Sequence, residues 1–167
     1  MAASAACAQQ PSAQGPAQIP KTTAKTLAGN EVTIPQSGAS GLLLVVIAFS
    51  HKGGTQAEDW NKRIAAAYPK DAAVRFYEAA DLEGVPSLVK GMVLHGMRSG
   101  TTAEEQPRFL LIEKDGAKWK ALVNYSAEDD AYVVLATASG SVLWQAHGAA
   151  TDRAFGELQK QVEQHRK

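Results

Sequence analysis

Residues 42–49, Leu-Leu-Leu-Val-Val-Ile-Ala-Phe, form an unbroken apolar run rich in β-branched and large side chains. A strand with one wet face alternates apolar and polar residues, so this run predicts a strand covered on both faces, in the interior of a sheet. After it, Thr55-Gln56-Ala57-Glu58 has the form of a capping box, which predicts a helix from about Thr55. Ala57, Trp60, Ile64 and Ala67, with Tyr68 beside them, recur at helical spacing and give that helix one apolar face. Pro69 and the turn around it end the helix.

The same patterning places the other elements. Residues 26–35 alternate on both sides of Gly29-Asn30, which predicts a hairpin. Residues 73–78 predict a second strand with Val74 and Phe76 on one face. Pro86 suits the first turn of a helix, whose apolar face would be Leu88, Val89, Met92, Val93 and Gly96, ending near Arg98 with Gly100 as its cap. Residues 107–113 predict another strand, and Trp119, Leu122, Val123 and Tyr125 fit a short amphipathic helix. Residues 131–137 and 142–146 predict an antiparallel pair around Ser139-Gly140. Thr151 is the N-cap expected for a last helix carrying Phe155, Leu158 and Val162 on one stripe. Two successive strand-helix units favour parallel pairing through a right-handed crossover. The expected fold class is α/β: a central mixed sheet of four to five strands with helices on both faces, preceded by an N-terminal β-hairpin.

With 167 residues, 45% of them apolar, the chain is long enough for one domain with a full core. Lys plus Arg and Asp plus Glu are 17 each, so the net charge favours neither nucleic acid nor an acidic membrane surface. No apolar run is long enough to span a bilayer. Residues 1–23 hold almost no large apolar group and read as a disordered leader, with the domain over residues 24–167. Within the leader, Ala6-Cys7-Ala8 has the small-x-small form of an export cleavage site. A low-complexity tail and the remnant of an export signal both fit; the second implies a periplasmic or secreted protein, and the first leaves the cytoplasm open.

Cys7 is the one cysteine, which excludes an internal disulfide, a cysteine-based zinc site and a dithiol redox couple. His51, His95, His147 and His165 are scattered, with no pair at metal-ligand spacing. Ser50 and His51 are adjacent, and adjacent side chains on an extended chain point apart, so they form no catalytic dyad. Trp60, Trp119 and Trp144 read as core or rim aromatics, because no basic groove accompanies them. Neither a metal nor a cofactor is expected.

The ending YVVLATASGSVLW, followed by Gly148 and a Thr-capped helix, resembles the terminal hairpin and helix of thioredoxin-like proteins. The segment GVPSLVKGMVLHGMRSG, residues 84–100, is similar in pieces to the assembly factors for the membrane sector of mitochondrial ATP synthase and their bacterial relatives. The resemblance implies a thioredoxin-like three-layer sandwich. It also implies a redox site made of cysteines in the loop after the central strand, facing a proline just before the penultimate strand. The matching stretches here are His51-Lys52-Gly53-Gly54 and Asp129-Asp130-Ala131, so both halves of that site are missing. A thiolate attacks disulfides and peroxides because it ionises near neutral pH and is polarisable, and none of the loop side chains replaces it.

Two function classes follow: a non-redox binding or assembly module, exported, or an oxidoreductase relative with cysteine-independent activity. The candidate site is Ser50, His51, Lys52, Gly53, Gly54, Thr55 and Gln56. There Lys52 and the free amides of a helix N-terminus are expected to hold a small anionic ligand or the acidic tip of a protein partner. In the plainer reading, the two glycines only permit the turn and Lys52 lies in solvent.

Overall fold

A computed structural model of the protein describes residues 16–69 and 71–166. Among the described residues seven strands form one sheet: β1 (Thr22–Thr26), β2 (Glu31–Ile34), β3 (Leu42–Ala48), β4 (Val74–Asp81), β5 (Phe109–Ile112), β6 (Ala131–Thr137) and β7 (Val142–His147), in the order β2-β1-β5-β4-β3-β6-β7. The expected hairpin is present as β1 and β2, but it does not stand apart from a sheet of four to five strands. Lys25 and Thr26 of β1 pair antiparallel with Leu111 and Leu110 of β5, which supplies the exposed strand edge with partners and merges the hairpin into the sheet.

β3 is interior, parallel to β4 and antiparallel to β6, and every one of its side chains is buried. Its even-numbered residues Leu42, Leu44 and Val46 pack under α1 (His51–Ala67) and α4 (Asp152–His165), around Trp60, Ile64, Leu158 and Val162. Its odd-numbered residues Leu43, Val45 and Ile47 pack on the opposite face under α3 (Gly116–Leu122), around Trp119. An apolar run with no polar alternation is what two covered faces require. Trp60 and Ile64 are fully buried, each contributing about 1.5 to 3 kcal/mol of transfer free energy. Ala67, expected on the same stripe, is exposed in the last turn.

The folded domain reaches further towards the N-terminus than residue 24. Ile19, the one large aliphatic side chain of that stretch, is buried; its amide donates to Gly140 O at 2.9 Å. Thr22 Oγ1 accepts the Trp119 indole N–H at 2.9 Å, so β1 begins where the leader was expected to end. Residues 1–15, including Cys7 and the small-x-small triplet, lie outside the described residues.

The second helix, α2 (Ser87–Gly100), lies on the α1 face over β4 and β5 and has no buried residue. The side chains it turns to the sheet are Val93, Leu94 and Met97, packed with Leu82 and Phe109. The expected face was Leu88, Val89, Met92, Val93 and Gly96; of these, Leu88 is 96% exposed and Met92 73%. This helix carries apolar residues around most of its circumference, so its pattern selects no single stripe, and contact with β4 and β5 decides which residues are covered.

Candidate functional site

The site is built at the end of β3. Ser50, extended at φ −147°, is the N-cap of α1: its Oγ accepts the Gly53 amide at 3.0 Å and donates to Glu128 O at 2.7 Å. The helix therefore starts at His51, four residues before the expected start. Thr55 is already inside it, with its hydroxyl directed at His51 O, and the Thr55–Glu58 pair caps nothing. A serine at the strand end takes a first-turn amide before Thr55 is reached.

This first turn separates the seven candidate residues into two sides. Lys52, Gly53 and Gln56 face the segment before β6. Lys52 Nζ pairs with Asp129 at 3.1 Å, and Gln56 Oε1 accepts the Ala131 amide at 3.2 Å. Gly53 lies against the Asp130 backbone. The cation expected to attract an anion thus has a carboxylate beside it, and one first-turn amide is taken by Ser50. His51, Gly54 and Thr55, with Ser50 touching both sides, line the mouth of a cleft on the other side.

That cleft, about 700 Å³ in volume, lies between α1 and α2 over the sheet. Leu82, Val85, Val93, Met97 and Phe109 provide apolar wall, and Glu58, Asn61 and Lys62 come from α1. Glu78 is on its floor. Val74, Phe76, Glu78 and Ala80 share the α1 face of β4, and Glu78 sits in register between Val46 on β3 and Phe109 on β5. A carboxyl set among apolar neighbours loses hydration. Burial pushes Glu78 from the ordinary 4.5 up to about 7, and the nearby Glu105 and Glu58 carboxylates push in the same direction, against the weaker pull of Asn61 and Arg108.

Asn61 is the second unusual group. It is only 7% exposed, and neither its Oδ1 nor its Nδ2 has a hydrogen-bond partner among the described residues. It neighbours Glu78 and favours the charged form of that carboxyl. Leaving a buried amide unpaired costs about 1 to 3 kcal/mol.

The Ser50 hydroxyl is committed to capping and to the Glu128 carbonyl. Among the described residues, no group of three His, Cys, Asp or Glu side chains could hold a metal ion, and no helix is long and apolar enough to cross a membrane.

No protein-family model matches the sequence, and no curated protein matches it. Solved structures do. A protein assigned as the thiol:disulfide interchange protein DsbE from Chlorobium tepidum superposes with a TM-score of 0.63 at 14% identity, over 92% of this chain and 99% of that one. The fold is thioredoxin-like. The thioredoxin domain of a thiol-disulfide oxidoreductase from Bacteroides vulgatus gives 0.58 at 15% identity over 90% and 99% of the two chains. The exposed lipoprotein thioredoxin of Streptococcus pneumoniae gives 0.61 at 7% identity over 86% and 98%. At such identities the likeness is one of fold. In this thioredoxin-like chain the first turn of the helix after the central strand reads His51-Lys52-Gly53-Gly54, without a thiol.

Sequence reasoning missed Glu78 and Asn61, although both carry a signal. Glu78 interrupts the apolar phase set by Val74, Phe76 and Ala80, and Asn61 falls on the stripe of Ala57, Trp60 and Ile64. A polar residue at a core phase of two neighbouring elements marks a place where the fold accepts a desolvation cost.

Proposed function

We infer that this protein is a non-redox thioredoxin-like binding module, and that its ligand surface is the cleft between α1 and α2. The observation that carries this reading is the buried, unpartnered Asn61 at the floor of an open, largely apolar cleft, beside a helix start that offers no thiol. Pockets that bind small molecules combine an apolar lining with a few converging polar groups, and this cleft has that composition. A protein partner, as the resemblance to ATP synthase assembly factors implies, would use the same cleft with a side chain in it. Ser50, His51, Gly54 and Thr55 would meet the ligand at the mouth. Lys52, Gly53 and Gln56 would hold the rim through the residue 128–131 segment. Export to the periplasm or beyond belongs to the same proposal, and fractionation of cells expressing the native gene tests it.

Disulfide exchange needs a thiolate, and Cys7 is the only residue able to supply one. The Cys7→Ser protein is therefore expected to reduce no insulin disulfides and consume no peroxide under conditions in which a thioredoxin control turns over. Turnover by that variant would overturn the non-redox reading in favour of a cysteine-independent oxidoreductase.

A further inference from the structure

We propose that the α1–α2 cleft is selective for an organic cation: a primary amine on an apolar body, with the ammonium seated between Glu78, Asn61 and Glu58. This deepens the reading of the cleft as a ligand site and rests on it. Of the residues that line the cleft, Glu58, Glu78, Asp81 and Glu105 carry carboxyls and only Lys62 carries an ammonium. Two of those carboxyls are already engaged. Glu105 bonds Thr102 and lies 3.4 Å from Arg108, whose guanidinium also covers the Phe76 ring, and Asp81 is 3.6 Å from Lys120. Glu58 and Glu78 have no cation within ion-pair distance among the described residues.

Asn61, on the same helix as Glu58 and beside Glu78, has a buried Oδ1 that accepts from nothing among the described residues. An ammonium has three donors and no acceptor, so two carboxylate oxygens and one amide oxygen match its requirements. An anion would face the excess of carboxyls and gain only the Asn61 amide. A metal ion needs several donors converging on one point, and the cleft's carboxyls do not gather in that way. The apolar wall of Leu82, Val85, Val93, Met97 and Phe109 then sets the remainder of the ligand: an aryl or alkyl body whose burial supplies the affinity.

Charge on Glu78 couples this preference to pH. Its carboxyl titrates at about 7, facing Glu58 and Asn61 from α1 and Glu105 and Arg108 from the segment before β5. A bound cation favours the ionised form, so binding strengthens as pH rises through that value and weakens below it.

The test uses the full chain and three probes with similar bodies and different heads, 2-phenylethylamine, 2-phenylethanol and 3-phenylpropionate, followed by amide shift perturbation in 1H–15N spectra at pH 8 and pH 5.5. The amine is expected to perturb amides around Asn61, Glu78 and Met97 and to bind at least about tenfold more tightly than the alcohol at pH 8, with that advantage falling about tenfold or more at pH 5.5. The propionate is expected to leave the cleft unperturbed. Glu78→Gln, which keeps the shape of the side chain, is expected to bring the amine down to the level of the alcohol. Equal binding of all three probes at the cleft overturns the cation preference while leaving the cleft as a ligand site. Tighter binding of the propionate, or no cleft shift from any probe, also overturns it. The redox assays on the Cys7→Ser protein decide the non-redox reading independently of these outcomes.

Discussion

Gly53 and Asp130 meet backbone to backbone: a Cβ on Gly53 would stand 2.8 Å from the Asp130 carbonyl oxygen, closer than side chains approach in folded proteins. The segment before β6 has thus closed onto the first turn of α1 at a point where only glycine fits. Gly54, one residue on and turned to the cleft, has open space at its Cβ position.

The two glycines should therefore respond oppositely to alanine. Gly53→Ala is expected to destabilise by about 1 to 3 kcal/mol, since backbone has to move to admit the methyl group. Gly54→Ala is expected to stabilise by about 0.5 to 1 kcal/mol, because it removes the entropic cost of glycine inside a helix. Urea denaturation of the two variants checks both signs.

Ser50 and Thr55 separate the two possible starts of α1. Ser50→Ala is expected to cost about 1 kcal/mol through loss of the cap on Gly53 N, besides the bond to Glu128 O. Thr55→Ala, inside the helix, should change stability by no more than about 0.5 kcal/mol. A larger loss from Thr55→Ala would restore the capping box as the helix start.

Glu78 should leave a mark on the pH dependence of stability. Its folded-state value of about 7 lies above the ordinary 4.5, so between these values the folded protein holds a proton that the unfolded chain has released. Stability should fall as pH rises through this window and level off above it, by an amount on the order of 3 kcal/mol. Thermal or urea unfolding of Glu78→Gln from pH 4 to 8 is expected to lack this decline, and the variant should be the more stable protein at pH 8.

Much of the fold was legible because single residues carried unambiguous signals. The run over residues 42–49 could satisfy its pattern only with both faces covered, and Gly29-Asn30 and Ser139-Gly140 both mark hairpin turns in the structure. Other features depended on partners distant in sequence. That β1 would pair with β5 follows from an edge that β5 leaves open, which no local pattern announces. The cap of α1 is Ser50 and not Thr55, and the Thr55–Glu58 spacing does not choose between them, because it fits a helix interior as well as it fits a capping box. The cleft is a relation among α1, α2 and β4, so its existence had to wait for their packing, even though Glu78 and Asn61 each stood at an apolar phase of its own element.

The most direct test of the account is a fragment screen read by 1H–15N shift perturbation on the wild-type protein and on Gly96→Trp. Gly96 lines the cleft, and a Cβ there would meet no atom within 4 Å, so a tryptophan at this position is the substitution chosen to fill the cavity. The account predicts that wild-type shifts gather on α1 from His51 to Lys62, on β4 from Glu78 to Asp81 and on α2 from Met92 to Met97, and that they vanish in the filled variant. Shifts that gather instead on the residue 128–131 segment, or that persist unchanged in Gly96→Trp, would contradict it.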